Sequence, residues 1–216
     1  MNKYKLVIFD MDGTLADTSP GILNCIRYTQ EKMALPQITL EQMYSHVGPP
    51  MHESYNRNFG LTGEELDKAV SYHKEYAMNK GYKELEFYEG IEQLLIWLRK
   101  NGIMTAVATL KAHSTAEKIL ETYDMAKYFD IVIGVDAANP MTKSQLLDYC
   151  TEKSGIAKSE AVLIGDSEYD AIGAEESGIS FIAVTYGFGF KNEADTSGHP
   201  CVAVCKSVSD IENVLS

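Results

Sequence analysis

The sequence predicts an α/β fold, in which helices pack on a doubly wound and mostly parallel sheet and a helical segment is inserted after the first strand. Two observations lead to this fold class. Short, continuous apolar runs alternate with helical stretches along most of the chain, as they do in βαβ units. Between residues 15 and 85 the pattern instead shows helical periodicity without a convincing strand. At 216 residues, 45% of them hydrophobic, the chain can fill one large domain or a domain with a smaller insert.

The strands are predicted where apolar residues follow one another without interruption, because parallel strands are buried on both faces. The first covers residues 4–9 (YKLVIF) and ends directly before two aspartates. Residues 201–205 (CVAVC) add a strand at an edge, in which the period of two turns Cys201 and Cys205 to the same face. The remaining predicted strands are residues 103–109, 131–135, 161–165 and 181–185.

Helices are predicted between these strands. Residues 91–100 (IEQLLIWLRK) end at Asn101-Gly102, which is a typical C-terminal stop. Three more helices are predicted over residues 114–122, 144–153 and 169–177. The helical stretches of residues 15–84 are broken by prolines and glycines at residues 36, 48–50, 60 and 63. We therefore predict a core domain of residues 1–14 and 85–216 and a helical domain of residues 15–84, which lies above the carboxyl end of the sheet.

Composition and charge narrow the partners and the location. A formal net charge of −12 disfavours nucleic acid polymers and anionic membranes. No stretch approaches the roughly 20 apolar residues that a membrane helix needs. The four cysteines form no CxxC pair and are predicted to be free, buried thiols. With no recognisable targeting segment, they indicate a cytoplasmic protein, and the oligomeric state stays open.

A set of polar residues follows the ends of the predicted strands. In a parallel sheet these ends share one edge, where doubly wound folds bind their ligands, so distant segments deliver carboxylates, a hydroxyl and an ammonium group to one crevice. The residues are Asp10, Asp12, Thr109, Lys143, Asp166 and Asp170. Asp166 and Asp170 share a helix face if a helix begins at Asp166, and such a like-charge pair requires a cation.

Carboxylates crowded in this way suit Mg²⁺, which takes one or two carboxylates together with waters and phosphate oxygens. Asp10 and Asp12 are two apart on an extended segment and point to the same side. A metal beside Asp10 keeps this carboxylate ionised and nucleophilic, and Asp12 can donate a proton to a leaving alkoxide. Thr109 and the exposed amides of Gly13 and Thr14 can bond phosphate oxygens, while the lysine supplies positive charge.

These motifs resemble those of the haloacid dehalogenase superfamily, and more closely its phosphoglycolate phosphatase-like branch. DMDGT at residues 10–14 matches the DxDGT motif of the superfamily, AVAT at 106–109 its second motif, Lys143 its third, and GDSEYD at 165–170 its fourth. The resemblance extends over essentially the whole chain. It implies a Rossmann-like core with a helical cap, to which HVGPP at residues 46–50 belongs. One departure from the family pattern is that no proline follows Lys143.

The resemblance also implies roles by position. Asp10 is implied to be the nucleophile and a Mg²⁺ ligand, and Asp12 to be the acid and base that also binds the metal through its backbone carbonyl. Asp166 is implied to be a further Mg²⁺ ligand. Asp170 is implied to contact the residues that bind the metal, or to reach the metal through a water. The residues implied to hold the substrate phosphoryl group are Gly13, Thr14, Thr109, Leu110 (through its backbone) and Lys143.

The predicted function is that of a Mg²⁺-dependent phosphatase, which hydrolyses a small phosphorylated metabolite such as phosphoglycolate or a nucleoside monophosphate through an aspartyl-phosphate. The runner-up is a phosphotransferase similar to β-phosphoglucomutase, although such mutases usually carry an acidic pair where Gly165-Asp166 stands. A dehalogenase is disfavoured because it needs no acid at the position of Asp12, and a phosphonatase because it needs a distinctive lysine in the cap. Pyrophosphate stays among the candidate substrates. A degenerate binding protein is disfavoured, because none of the catalytic groups is missing.

Other residues near these motifs are left with open roles. Lys111 is either a second cation of the site or an ordinary solvated lysine. His52 and Arg57 of the insert are candidates for contacting the leaving group, and Gly187–Gly189 are predicted to shape a loop near the site. The five histidines show no metal-ligand spacing and are predicted to be surface or buried polar residues.

Overall fold

Six of the eight strands build one parallel sheet in the computed structural model, which describes residues 3–136 and 140–216. In these residues the sheet has six strands, and every neighbouring pair is parallel. In chain order the strands are β1 (Leu6–Phe9), β2 (Ala16–Asp17), β3 (Glu86–Phe87), β4 (Met104–Ala112), β5 (Ile131–Val135), β6 (Ala161–Gly165), β7 (Ser180–Val184) and β8 (Ala203–Cys205). The sheet order is β5-β4-β1-β6-β7-β8, which confirms the predicted doubly wound α/β class.

This strand order fixes where a ligand can bind. The chain adds β4 and β5 on one side of β1 and then crosses to add β6, β7 and β8 on the other side. A crevice therefore opens beyond the carboxyl ends of β1, β4 and β6, where the winding direction changes. These three strands carry most of the predicted site.

Helices cover both faces of the sheet and fill the insert. They are α1 (Ser19–Met33), α2 (Leu40–Tyr44), α3 (Met51–Phe59), α4 (Gly63–Asn79), α5 (Ile91–Lys100), α6 (His113–Thr122), α7 (Lys143–Ser154), α8 (Glu168–Ser177) and α9 (Val208–Leu215). The predicted helices of the core agree with α5, α6, α7 and α8 within one residue at each end. Helix α9 was not predicted. It begins after Ser207, whose side chain forms a capping box with Asp210.

The hydrophobic core lies on the two faces of the sheet. Along β1, Val7 and Phe9 pack into the cluster on one face, while Leu6 and Ile8 pack into the cluster on the other. All four side chains are fully buried. Burying a side chain of this size contributes about 1.5–3 kcal/mol, which explains why the strand tolerates no polar residue until Asp10.

The insert has small cores of its own. One packs around Ile26 and Met43, and another around Tyr55 and Val70. The chain enters through β2 and returns through β3, which pair as an antiparallel ribbon. The expectation of no strand between residues 15 and 85 is therefore wrong at β2, because a two-residue strand is too short to show a period. The predicted boundaries of the two domains stay a prediction.

The cysteines follow the prediction in part. All four are free, and Cys25, Cys150 and Cys205 are buried. The expectation that Cys201 and Cys205 face the same side is wrong, since Cys205 packs into one core cluster and Cys201 lies against the other. The reason is that β8 begins only at Ala203, so Cys201 lies before the regular alternation. No helix in the described part of the chain combines the length and the apolar character needed to cross a membrane.

Candidate active site

Two aspartates meet at the carboxyl ends of the central strands. Asp10 follows β1 and Asp166 follows β6, and these strands are paired neighbours. The Asp10 N–H extends the ladder by donating to the carbonyl of Ile164 at 2.9 Å. Both carboxylates are buried, at 7% and 3% exposure. The predicted convergence of the strand ends is thus present for this pair.

Lys143 is the cation at the centre of this cluster. Its Nζ lies 2.6 Å from Asp10 Oδ1 and 2.7 Å from Asp170 Oδ1, and it donates to the Ala108 carbonyl at 2.7 Å. Burial lowers the pKa of Lys143, but the two carboxylates outweigh this effect and raise it above its usual range. A side chain on Gly173 of α8 would collide with the lysine stem, so a glycine there permits the close approach of α8.

Asp166 is held by backbone amides of the loop after β7. The N–H groups of Phe188 and Gly189 donate to Asp166 Oδ2 at 2.6 and 3.0 Å. A Cβ added at Gly13 or Gly187 would collide with the same carboxylate. The loop that the sequence predicts near the site therefore contacts Asp166 through the amides of Phe188 and Gly189, and the absence of a side chain at Gly187 leaves room for the carboxylate.

Burial dominates the electrostatics of both aspartates. It raises the pKa of Asp10, with further increases from Asp170 and Asp12 and a decrease from Lys143. It also raises the pKa of Asp166, to which Asp170 adds and which the amides of Phe188 and Gly189 oppose. Without a further cation, the positive charge near these two carboxylates is therefore too small to offset the cost of burying them in the ionised form.

The donor atoms of this cluster fit a divalent metal ion. One carboxylate oxygen from each of Asp10, Asp166 and Asp170 lies within 4.8 Å of the others, and all three residues are buried. In the described residues this cluster combines three carboxylates with one ammonium group, that of Lys143, so the cluster carries excess negative charge. An all-oxygen donor set of this kind suits a hard cation such as Mg²⁺.

Asp12 lies in a different environment from Asp10. Its Oδ1 accepts a hydrogen bond from Thr18 Oγ1 at 2.5 Å and lies 3.0 Å from Lys111 Nζ. Lys111 is only 12% exposed, so it is a cation of the site and not a solvated lysine. The register between β4 and β5 shifts after Thr109, and this irregularity carries the strand on to Lys111. The sequence pattern, which ended the strand at Thr109, left the role of Lys111 open and did not indicate Thr18.

The turn after Asp12 differs from the expectation. The Gly13 N–H donates to the Ala16 carbonyl at 2.9 Å, and the Thr14 N–H to the Met11 carbonyl at 3.3 Å. The prediction that the amides of Gly13 and Thr14 are free to bind phosphate is therefore wrong, because the turn into β2 uses both. The positive φ of 81° explains the glycine. The buried hydroxyl of Thr14 has no hydrogen-bond partner among the described residues.

Thr109, Leu110 and Asp170 also take defined positions. Thr109 is buried, and its Oγ1 accepts the Lys111 N–H at 3.2 Å. Leu110 lines the cavity beside Asp12. The expected helix face shared by Asp166 and Asp170 is absent, because Ser167 caps α8 and Asp166 precedes the helix. Asp170 instead accepts from Ser167 Oγ at 2.6 Å and turns its other oxygen to Lys143.

The insert closes over this edge of the sheet. A cavity between the two parts is lined by Asp12, Leu110 and Lys111 of the core together with residues of the insert, among them His46, Met51, His73 and Lys74. A second opening near Asp12 and Asp166 is lined by Arg57, Tyr169 and Phe188 among others. His52 lines neither opening and lies on the exposed surface near Asp67. His46 and His73 are buried, as the sequence allowed.

The fold and the buried carboxylate cluster define a doubly wound α/β protein with a candidate metal site between its parallel sheet and a helical insert. Residues 7–184 match the family of haloacid dehalogenase-like hydrolases, and the chain belongs to this family. A 5'-nucleotidase of Pseudomonas aeruginosa is 27% identical over 214 residues, which cover 99% of this chain and 96% of that protein. Tyrosine-protein kinase PtkA of Mycobacterium tuberculosis is 31% identical over 213 residues, covering 98% of this chain and 72% of that protein.

A solved structure agrees with this placement. The crystal structure of a predicted phosphatase from Clostridium acetobutylicum superposes with a TM-score of 0.90 at 33% identity, covering 97% of each chain. The chain is thus an enzyme. The relatives that match it over nearly their full length support the class of the phosphatases, which hydrolyse phosphoric monoesters.

Proposed function

We propose that the protein is a Mg²⁺-dependent phosphatase that acts on a small phosphorylated metabolite through an aspartyl-phosphate. The observation that supports this most strongly is that Asp10 and Asp12, although only two residues apart, have different surroundings. Asp10 lies among the buried carboxylates and Lys143, whereas Asp12 is bonded to Thr18 and Lys111. This difference in surroundings supports separate roles for the two carboxylates, attack for Asp10 and proton transfer for Asp12.

The proposed reaction has two steps. In the first, a carboxylate oxygen of Asp10 attacks phosphorus in line, the bond from phosphorus to the ester oxygen breaks, and Asp12 gives its proton to the leaving alkoxide. In the second, Asp12 takes a proton from a water molecule whose oxygen attacks the phosphorus of the aspartyl-phosphate. The bond from phosphorus to Asp10 then breaks and inorganic phosphate is released. The closed insert limits the access of bulk water during the first step.

The residues proposed to hold the metal are Asp10, Asp166 and the backbone carbonyl of Asp12, with Asp170 acting through a water or through Lys143. When bound, Mg²⁺ offsets the negative charge of the phosphoryl group and of the carboxylates. Asp166 is prepared for this role by the two amides that fix one of its oxygens.

The groups proposed to hold the phosphoryl oxygens are Thr109, the backbone at Leu110, and Lys143. Lys143 is already positioned by three acceptors, so it does not need to reorganise when substrate arrives. The hydroxyl of Thr14, which is buried without a partner in the described part of the chain, is a further donor for this group. The Gly13 amide is not proposed for this role, because it donates to the Ala16 carbonyl within the turn.

Phosphoglycolate and nucleoside monophosphates remain the proposed substrates, and the similarity to a protein named 5'-nucleotidase supports the second. Such soluble metabolites accord with a cytoplasmic enzyme, which we propose as its location. The acidic chain disfavours polymers of nucleic acid as substrates, and Lys111 and Lys143 together with the proposed Mg²⁺ supply the positive charge that a small phosphate ester needs.

Transfer of the phosphoryl group to an alcohol, as in a mutase similar to β-phosphoglucomutase, is the alternative. The name of the mycobacterial relative also concerns transfer and not hydrolysis. Mutases of this kind usually carry an acidic residue at the position of Gly165. In this protein a side chain at Gly165 would collide with the Asp170 carboxyl group. This collision favours hydrolysis.

A panel of phosphate monoesters, assayed with Mg²⁺ and with EDTA, tests the proposal. We expect turnover that requires Mg²⁺ and that falls at least 10³-fold in Asp10→Asn, because the amide is not a nucleophile. Asp67→Asn, an isosteric change at an exposed aspartate of α4, is the matched control and keeps full activity. Turnover by Asp10→Asn, or turnover that EDTA does not change, contradicts the mechanism. Product analysis with hexose 1-phosphates separates hydrolysis from isomerisation.

A further inference from the structure

A chain of hydrogen bonds in the insert fixes the tautomer of His73. Thr29 Oγ1 donates to the Cys25 carbonyl at 2.9 Å, and Tyr55 Oη lies 3.0 Å from both Thr29 Oγ1 and His73 Nδ1. A carbonyl can only accept, so the single hydroxyl proton of Thr29 is used on Cys25. Tyr55 must then donate to Thr29, and its oxygen must accept from His73. His73 therefore carries its proton on Nδ1 and an acceptor lone pair on Nε2.

The environment keeps this imidazole neutral. Burial, followed by the positive charge of Lys111, lowers the pKa of His73 to about 3. Tyr55 and Thr29 are fully buried as well, so water does not compete for the chain of hydrogen bonds. His73 thus presents a fixed acceptor at neutral pH.

The acceptor belongs to the cavity beside Asp12. His73 lines this cavity and a second one beside Thr18 and Lys111, and Tyr55 lines neither, so the ring edge opposite to Tyr55, which carries Nε2, faces this space between the insert and the core. No described residue is recorded as a hydrogen-bond partner of Nε2, so this acceptor is available to a ligand in the cavity. The neighbouring Lys74 lines the same cavity, and within residues 3–136 and 140–216 no ion pair is recorded for it. The cavity therefore offers a hydrogen-bond acceptor and a positive charge.

We propose that His73 selects the leaving group by accepting, at Nε2, a hydrogen bond from a free hydroxyl of the alcohol that Asp12 protonates, while Lys74 attracts an acidic group of the same alcohol. The preferred substrate class is then the phosphate ester of a short hydroxy acid that retains a second hydroxyl, whereas phosphoglycolate offers only the acidic group and a nucleoside monophosphate only the hydroxyl. Tyr55 is a positioning residue, because it acts only through the tautomer of His73. This inference rests on the proposed phosphatase function.

Four three-carbon phosphate esters separate the two contacts. 3-Phosphoglycerate has the hydroxyl and the carboxylate, the phosphate ester of 3-hydroxypropionate has the carboxylate alone, glycerol 3-phosphate has hydroxyls alone, and propyl phosphate has neither. We expect the hydroxyl to raise kcat/KM about tenfold in the parent protein, as one buried hydrogen bond does, and the carboxylate to raise it by a similar factor.

Variants assign these factors to residues. In Tyr55→Phe the tautomer of His73 is no longer fixed, so the ratio of kcat/KM with and without the hydroxyl falls to about 1. Tyr28→Phe removes the hydroxyl of an exposed tyrosine of α1, which bonds Glu75, and is the matched control with both ratios unchanged. Lys74→Met lowers the carboxylate ratio alone.

Nitrogen NMR of the parent protein gives a readout that needs no activity. We expect a protonated Nδ1 and a lone-pair, pyridine-like Nε2 for His73, and a proton on Nε2 instead overturns the inference. Equal turnover of all four esters also overturns it and leaves the proposed phosphatase intact. If none of the panel of esters is hydrolysed, the proposed function fails, while the NMR result still decides whether the tautomer is fixed.

Discussion

Lys143 holds its ammonium group between two buried carboxylates, and its removal should affect both activity and stability. In Lys143→Met, Asp10 and Asp170 lose their only close ammonium partner recorded in the described residues. Breaking a buried ion pair from one side typically costs about 3 kcal/mol or more, so we expect a loss of this size in the free energy of unfolding at pH 8. The loss should be smaller at pH 6, because the raised pKa of Asp10 lets it take up a proton.

Urea denaturation of the metal-free protein measures this prediction. Lys158→Met is the matched control, since Lys158 pairs with Asp148 at 2.6 Å but both side chains are about half exposed. An exposed pair contributes about 0–1 kcal/mol, so the control should lose no more than that. Equal losses in the two variants would show that burial does not strengthen the role of Lys143.

Helices α3 and α8 join the insert to the core through one side-chain contact. Tyr169 Oη donates to Glu53 Oε2 at 2.8 Å, next to the opening that leads to Asp12 and Asp166. A hydrogen bond of this kind contributes about 0.5–1.5 kcal/mol to the closed arrangement. In Tyr169→Phe we expect KM to rise about 2–10-fold, because part of the binding energy must now close the insert.

Steady-state kinetics of Tyr169→Phe beside Tyr149→Phe test this role of α8. Tyr149 is an exposed tyrosine of α7 with no side-chain hydrogen bond recorded in the described residues, so its variant should keep the parent KM. An unchanged KM in Tyr169→Phe, with the protein folded, argues that the contact contributes nothing to closure.

The stability of the whole molecule should depend on pH through the carboxylate cluster. Burial first, and neighbouring carboxylates second, raise the pKa of Asp10 and Asp166 above their unfolded values. The folded metal-free chain therefore binds protons that the unfolded chain has released. This contribution to stability is fully present below the unfolded pKa and is lost as pH rises through the raised folded pKa. Mg²⁺ replaces these protons, so its stabilising effect should be larger at pH 8 than at pH 6.

Thermal unfolding in EDTA and in Mg²⁺, at both pH values, measures this effect as a difference in Tm. Comparing the two conditions at one pH cancels titrations elsewhere, such as those of His46 and His73, whose pKa values burial lowers. NaCl at the same ionic strength controls for screening, and Asp166→Asn should lose most of the Mg²⁺ shift. A Mg²⁺ shift of equal size at pH 6 and pH 8 contradicts the prediction.

The elements that could be predicted are those in which every residue is buried. Residues 6–9 and 161–165 contain no polar side chain because both faces of β1 and β6 are covered, so these parallel strands are recognisable in the sequence. Helix α9 and strand β2 were not predicted. Strand β2 has only two residues, too few to show a period, and its partner β3 is distant in the chain. Helix α9 does show a helical period in the buried residues Val208, Ile211 and Leu215, so nothing in its structure explains why it was not predicted.

The sequence by itself determined the sheet, the place of the insert, and the meeting of Asp10, Asp166 and Lys143, because the carboxyl ends of parallel strands share an edge. Only the tertiary structure decided how these groups are held. The pairing of Lys111 with Asp12 depends on a register shift in β4, and the amides on Asp166 belong to a loop 22 residues further on. The acceptor that His73 presents to the cavity depends on a chain of hydrogen bonds across three helices. Such features come from contacts between residues far apart in the chain, and a pattern along the sequence does not record them.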